Sequence, residues 1–89
     1  MTATVVLPRS LLELFPGTPR ECNVAGQTVS EVIDDLDRLA PGLRNRLRDG
    51  SSLRPHLNVF VDRQRAGLSS AVPEGATVHV ILAISGGAM

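Results

Sequence analysis

The sequence has almost no aromatic residues and no lysine. Phe15 and Phe60 are its only aromatic residues among 89, and all nine basic residues are arginine. A surface that binds single-stranded nucleic acid stacks bases on aromatic side chains beside a basic groove. Nine acidic residues also bring the net charge to zero. The composition therefore argues against nucleic acid or an anionic membrane as a partner.

Cysteine and long apolar runs are scarce as well. Cys22 is the single cysteine, which excludes an internal disulfide and a cluster of cysteine metal ligands. The opening segment MTATVVLPRS has neither the charged nor the apolar part of a signal peptide. No apolar run approaches the length that crosses a bilayer. We therefore expect a cytoplasmic protein in a reducing compartment.

Periodicity predicts a small α+β domain. The main helix should begin at the capping box TVSE, where Thr28 accepts from the Glu31 amide and Glu31 accepts from the Thr28 amide. It should end near Ala40, because Pro41 follows. Strands are predicted at residues 4–8, 21–25, 56–62 and 76–84, loops at 9–20 and 63–71, and a polar connector with one short helical turn at 43–55.

The two faces of the predicted helix differ in polarity. The apolar stripe consists of Val29, Val32, Ile33, Leu36 and Leu39. The opposite face carries Asp34, Asp35 and Asp37, which we interpret as a solvated surface and not as a cation site. Before the last strand, Pro73 suits the second position of a type I turn and Gly75 the fourth. One helix on a sheet that starts with a hairpin is the expected architecture.

Three segments resemble a known family. NVFVD, LSSAVPEGATVHVIL and ISGG are similar to the middle strand, the final turn and strand, and the terminal tail of the MoaD/ThiS-type sulfur carriers, bacterial relatives of ubiquitin. The resemblance implies a β-grasp domain over residues 1–84, with a mixed four- to five-stranded sheet and one main helix on one face. It implies a tail over residues 85–89.

The resemblance also implies a function. In such carriers an E1-like enzyme uses ATP to adenylate the terminal glycine, here Gly87, which becomes a thiocarboxylate and donates sulfur to a biosynthetic enzyme. Ser85 and Gly86 would complete the tail, since glycine threads a narrow channel well. Ala88 and Met89 would displace the carboxylate by about 7 Å, so we expect a JAMM-type metalloprotease to cleave after Gly87. The carrier would bind no cofactor or metal and supply no catalytic residue.

The activating enzyme would dock on an apolar patch next to the tail. Ile81 and Leu82 are predicted to form this patch, with Phe60 extending it; alternatively, these residues cover the edge of the core. His56 and His79 lie on different predicted strands without acidic or cysteine partners, so no metal site is expected. Cys22 is predicted to be a small buried residue. Four arginines of the connector, Arg44, Arg46, Arg48 and Arg54, form a basic cluster that we interpret as a solvated loop.

Two other functions stay open at this point. The chain could be a β-grasp binding module whose glycines have no role, or a ubiquitin-like modifier that forms amides with lysines of other proteins. For a carrier, the residues do not identify the acceptor of the sulfur. The cleavable tail favours cysteine, methionine or secondary-metabolite biosynthesis, by resemblance alone.

Overall fold

Residues 2–82, the part of the chain that this computed structural model describes, form seven strands and three helices. The strands are β1 (Thr2–Val6), β2 (Glu21–Ala25), β3 (Arg48–Asp49), β4 (Ser52–Leu53), β5 (Leu57–Val61), β6 (Gln64–Ala66) and β7 (Thr77–Leu82). The helices are α1 (Arg9–Leu14), α2 (Val29–Leu39) and α3 (Leu43–Leu47). The predicted continuation of the last strand to residue 84, and the boundary between domain and tail, lie outside the described residues.

Five of the strands form one sheet in the order β2-β1-β7-β5-β6. β1 and β7 run parallel, and the other neighbours run antiparallel. β3 and β4 form a separate two-stranded ribbon after α3. The predicted mixed sheet of four to five strands is confirmed, and so is the predicted antiparallel pairing of the first two strands.

The core lies between α2 and one face of the sheet. Val78 and Val80 of β7 are 1% and 5% exposed and belong to the same buried cluster as Leu36 of α2. Cys22 and Val24 of β2 join this cluster, as their alternation along the strand predicts. The main helix therefore covers one face of the sheet only.

The capping of α2 differs from the prediction in one bond. Thr28 Oγ1 accepts from the Glu31 amide at 3.2 Å, as expected. Glu31 Oε1, however, accepts from the amide of Gln27 at 2.7 Å and not from that of Thr28. Just before the helix, Thr28 forms an isolated antiparallel bridge with Ala71. This bridge holds the backbone in an orientation in which the Gln27 amide points toward the Glu31 carboxylate.

The apolar stripe of α2 ends at Ala40 in the structure and not at the predicted Leu39. Leu39 is 55% exposed, whereas Ala40 is 4% exposed. At 100° per residue, Leu39 lies about 80° from Val29 around the helix axis, and Ala40 only about 20°. Ala40 therefore takes the last core position, and the placement of Leu39 in the stripe was wrong.

Two segments predicted as loops contain regular structure. Residues 9–14 form α1, which buries Leu11 and follows Pro8 at its N-cap. β6 pairs with β5 across a two-residue turn in which Asp62 and Arg63 have φ of 48° and 73°. A two-residue turn with positive φ at both residues usually has the sequence Asn-Gly, so Asp62-Arg63 gave no clear hairpin signal. The helix α1 is shorter than two turns, which is too short to be stable by itself. Both elements depend on tertiary contacts that periodicity does not report.

The turn before β7 is shifted by one residue from the prediction. The Ala76 amide donates to the Pro73 carbonyl at 3.1 Å, so Pro73 occupies the first position and Gly75 the third. Gly75 has a φ of 78°, which is the geometry of a type II turn. The amide of Gly75 also donates to the Thr2 carbonyl at 2.8 Å. This bond holds the start of β1, which begins at Thr2 and not at the predicted residue 4.

Candidate docking surface and tail exit

The predicted reactive tail follows directly from β7. Leu82 ends this strand and pairs with Leu57 at the start of β5. The tail and cleavage-site residues Ser85, Gly86, Gly87, Ala88 and Met89 all lie outside the described residues. The structure therefore bears on the surface around Leu82, the last residue that it describes, and not on the tail itself.

One row of side chains crosses the open face of the sheet near the end of β7. The strand register places Val6, His79 and Phe60 next to one another, with Glu21 and Arg65 at the two ends of the row. Val6 and Phe60 are half-buried and His79 is exposed. A central row with apolar and imidazole groups between charged ends is suited to contact another protein surface.

The predicted docking residues do not all share this face. Ile81 is 46% exposed and is opposite Asn58, one row closer to the tail. Phe60 is on the same face, two residues from Asn58 along β5. Leu82 alternates to the other face and is half-buried against the core cluster. Ile81 and Phe60 thus lie together, while Leu82 covers the edge of the core, as the alternative interpretation proposed.

A groove runs beside the end of β7. The end of β1 and the helix α1 form its other wall, and Pro8, Ile81 and Leu82 contribute apolar surface to it. The charged side chains that line the groove are those of Arg9, Glu13 and Arg20. The groove therefore combines apolar walls with a surplus of one positive charge beside Leu82, the last described residue.

The arginines fall into two groups. Five of them bind a carboxylate, hydroxyl, amide or carbonyl oxygen: Arg38, Arg44, Arg48, Arg54 and Arg65. Within residues 2–82 the other four form no side-chain hydrogen bond or ion pair: Arg9, Arg20, Arg46 and Arg63. Two of these four line the groove. Among the described residues, Arg46 is the one member of the predicted basic cluster without a side-chain hydrogen bond or ion pair, so most of that cluster has a structural role.

The three aspartates of α2 hold neighbouring segments together. Asp35 accepts from the Ala25 amide at 2.9 Å and from Arg38. The hydrogen bond from the Ala25 amide lowers the pKa of the Asp35 carboxyl most, and the hydrogen bond from Arg38 lowers it further. Asp37 accepts from the amides of Gly42 and Arg44, and Asp34 forms an ion pair with Arg44 at 3.3 Å. The predicted solvated face does lie at the surface, with Asp34 exposed, and its three carboxylates also form contacts with neighbouring segments.

The remaining candidates are not brought together into a site. Cys22 is 3% exposed, its thiol donates to the Pro19 carbonyl at 3.3 Å, and burial raises its pKa, so it is a core residue as predicted. His79 is opposite Phe60, whereas His56 precedes β5 and lies toward its other end. Among the described residues no three His, Cys, Asp or Glu side chains are grouped to hold a metal ion. In residues 2–82 no helix is long and apolar enough to cross a membrane.

Residues 14–87 match the family model described as the ThiS family. The chain belongs to this family. It is 32% identical over 94 residues to the sulfur carrier protein CysO of Mycobacterium tuberculosis strain H37Rv, an alignment that covers 98% of this chain and 100% of the relative. The predicted resemblance to MoaD/ThiS-type carriers is confirmed.

Solved structures confirm the predicted ubiquitin-like β-grasp fold. The crystal structure of the Amycolatopsis orientalis BexX/CysO complex contains a chain with a TM-score of 0.84 and 29% identity, covering 92% of this ThiS-family chain and 96% of that one. SAMP1 of Haloferax volcanii gives a TM-score of 0.80 at 25% identity, over 96% and 98% of the two chains. These relatives are carriers and modifiers, which supports the prediction that the chain is not an enzyme.

Sequence reasoning missed the groove. Nothing in the sequence distinguishes Arg9 and Arg20 from the other seven arginines. They line the same groove only because α1 packs Leu11 into the core and because the segment after α1 leads back to β2, which pairs with β1. Because residues 9–20 were predicted to be a loop, the helix α1 that forms one wall of the groove was not expected.

Proposed function

We propose that this chain is a sulfur carrier whose Gly87 is adenylated and converted to a thiocarboxylate. The observation that carries the proposal is the extent of the family match, which runs through the last strand and ends at Gly87. The similarity to a sulfur carrier protein over nearly the whole chain supports the same function. Ala88 and Met89 lie beyond the matched residues.

The chemistry explains why another protein must act on this tail. A carboxylate is a poor acyl donor, so an E1-like enzyme first joins the Gly87 carboxylate to the α-phosphate of ATP and releases pyrophosphate. A sulfur nucleophile then attacks the carbonyl, and AMP leaves. The carrier contributes presentation: the tail follows β7, and the open face with Ile81 and Phe60 serves for docking. It binds no cofactor, and ATP belongs to the activating enzyme.

The mature terminus is produced by cleavage after Gly87. Ala88 and Met89 would move the carboxylate by about 7 Å along an extended chain, too far for an adenylation site built around Gly87. A JAMM-type metalloprotease in the cytoplasm removes them. Gly86 and Gly87 offer this protease and the adenylating enzyme a backbone without Cβ atoms.

The loaded carrier delivers its sulfur to a biosynthetic enzyme. A CysO of similar fold crystallised in a complex with BexX, which supports the idea that this fold binds partner proteins. Biosynthesis of cysteine, methionine or a secondary metabolite is the destination that we favour.

An intact mass spectrum of the protein from its native cells tests the proposal. We expect a species that ends at Gly87 and has one oxygen replaced by sulfur. In vitro, a form ending at Gly87 should be adenylated, whereas the form ending at Met89 should not. Adenylation of the longer form at Met89 would refute the cleavage step. A Gly87→Ala variant that accepts sulfur at the wild-type rate would refute the steric role of the glycine.

A second candidate function is protein modification. The similarity to SAMP1, a small archaeal modifier protein, favours it. In that case the activated carbonyl of Gly87 forms an amide with an amine on another protein. Covalent conjugates that persist in strong denaturant would support the modifier. A form ending at Gly87 that no enzyme charges would instead favour a simple binding module.

A further inference from the structure

We propose that the groove at the end of β7 binds an acidic, apolar segment of the adenylating enzyme, with Arg9 and Arg20 as its charge anchors. The inference rests on the proposed function, because it names the partner that holds the carrier while Gly87 is activated. The groove shares Val6 and His79 with the row on the open face of the sheet, and α1 and Arg20 extend it beyond that row.

The groove offers apolar area that the domain leaves uncovered. Ile81 is 46% exposed, Leu82 is half-buried, and Pro8 is half-buried on the opposite wall. An exposed apolar surface in a small domain is a common feature of protein contact sites. Aliphatic side chains of a partner segment would bury this surface.

Charge determines which segment fits. The guanidinium groups of Arg9 and Arg20 are exposed and form no hydrogen bond or ion pair within residues 2–82. Glu13 is the single acidic residue that lines the groove, so the lining keeps a surplus positive charge. A guanidinium group donates two parallel hydrogen bonds to a carboxylate. The complementary partner segment therefore carries Asp or Glu side chains.

The arrangement of the other arginines makes these two distinctive. Arg44 and Arg48 are both paired with Asp34, and Arg38 is paired with Asp35. Only Arg46 and Arg63 are also unpaired among the described residues, and neither lines this groove. They provide matched controls, because each allows the same change of charge elsewhere on the surface.

The position of the groove connects it to the reaction. Leu82 lines the groove, and Gly87 follows five residues later. Five residues of extended chain span at most about 17 Å. A segment seated in the groove therefore holds the enzyme so that its adenylation pocket lies within this reach. Electrostatic attraction by the two arginines would mainly accelerate encounter between the proteins.

The test measures adenylation by ATP–pyrophosphate exchange with the enzyme that charges the wild-type form ending at Gly87. The variants are Arg9→Glu, Arg20→Glu and the double variant, with Arg46→Glu and Arg63→Glu as controls. We expect kcat/KM to fall about tenfold for each groove variant, with kcat unchanged at saturating carrier. The controls should stay within about twofold. Thermal melts would verify that all variants fold.

Two further measurements sharpen the result. The wild-type kcat/KM should fall as salt rises, and the double variant should lose most of this dependence. Glu13→Gln should raise kcat/KM or leave it unchanged, because it removes the one negative charge of the groove. A fall for Glu13→Gln would indicate a basic partner segment and would overturn the inference.

The remaining outcomes separate the inference from the proposed function. If the wild type is adenylated and the groove variants match the controls, the inference is wrong and the carrier function stands. If no enzyme adenylates the wild type, the proposed function fails, and the inference fails with it. Concentration-dependent dimerisation of the carrier that Arg9→Glu abolishes would assign the groove to a second copy and overturn the inference.

Discussion

The two faces of the sheet use the same strands for different purposes. On β7, Val78 and Val80 face α2 and are 1% and 5% exposed. His79 and Ile81 alternate with them on the open face, and Ile81 is 46% exposed. Because neighbouring residues of a strand point to opposite sides, one segment contributes to both the core and the candidate docking surface. Stability and recognition can therefore be altered separately.

The two ends of β7 differ in a similar way. At its start, the Asp62 amide donates to the Thr77 carbonyl, and the Thr77 amide donates to Asp62 Oδ1, both at 2.9 Å. At its end, Leu82 lines the groove with Arg9 and Arg20, which form no side-chain hydrogen bond or ion pair within residues 2–82. The start of β7 is fixed by hydrogen bonds to Asp62, whereas its end borders charged groups that the described residues leave without a contact. Substitutions at the two ends should consequently affect different measurements.

The largest effect on the free energy of unfolding is expected for substitutions between α2 and the sheet face that it covers. Leu36 of α2 is 1% exposed, so Leu36→Ala should lower the free energy of unfolding by about 2–5 kcal/mol through lost burial and a cavity. Leu39→Ala is the matched control, since Leu39 is 55% exposed on the same helix, and its effect should stay within about 0.5 kcal/mol. Urea denaturation measures both. Equal losses would contradict the assignment of the core face of α2.

An intermediate effect is expected at the fixed end of β7. Asp62→Ala removes the acceptor of the Thr77 amide and should cost about 1 kcal/mol of unfolding free energy. Asp62→Asn keeps a carbonyl oxygen at this place and tolerates the positive φ of 48°. It should therefore retain most of the stability in the same denaturation experiment. A loss as large for Asn as for Ala would show that the negative charge, and not the hydrogen bond, is what matters.

A smaller effect that depends on pH is expected where α2 joins β2. The Ala25 amide and Arg38 lower the pKa of Asp35 in the folded protein. A carboxyl whose folded pKa lies below its unfolded pKa stabilises the fold above the unfolded value, near 3.9, and loses this contribution as pH falls through the folded pKa. Asp35→Asn should therefore be less stable than wild type at pH 7, and the difference should shrink in acid.

Thermal melts between pH 7 and pH 3 would measure this convergence. Asp49→Asn is the control, because Asp49 is exposed and forms no side-chain hydrogen bond or ion pair within residues 2–82. Its melting temperature should follow that of the wild type across the range. A constant difference between Asp35→Asn and wild type at every pH would rule out the titration of Asp35 as the cause.

The elements that the sequence predicted well are those with a regular apolar pattern: alternation in β2 and a stripe in α2. β2 begins and ends at the predicted residues, and α2 begins one residue after its predicted N-cap Thr28. α1 and β6 were missed because neither shows such a pattern and each owes its structure to distant partners: Leu11 to the core, and Gln64–Ala66 to β5. Without a pattern, propensity over so few residues is too weak to indicate an element.

The two parts of the candidate site, the tail and the groove, also differ in how visible they are in the sequence. The tail is visible as a motif because Gly86 and Gly87 follow a recognisable last strand, and it stays a prediction because it lies outside the described residues. The groove could not be predicted, because Arg9 and Arg20 are eleven positions apart and become neighbours of β7 only through the packing of α1. A motif in consecutive residues is visible in a sequence, whereas a surface assembled from three separate elements requires the fold.

The smallest effect on stability is expected at Ile81, where the effect on recognition should be clear. Ile81→Asp places a carboxylate on an open strand position that is 46% exposed, so the free energy of unfolding should change by no more than about 0.5 kcal/mol. The apolar contact with the activating enzyme would be lost, and KM for the carrier should rise. Asn23→Asp on the distant strand β2 adds the same charge to the open face and should leave KM unchanged. An unchanged KM for Ile81→Asp would show that the enzyme docks elsewhere, since the covered face of β7 is already occupied by the core.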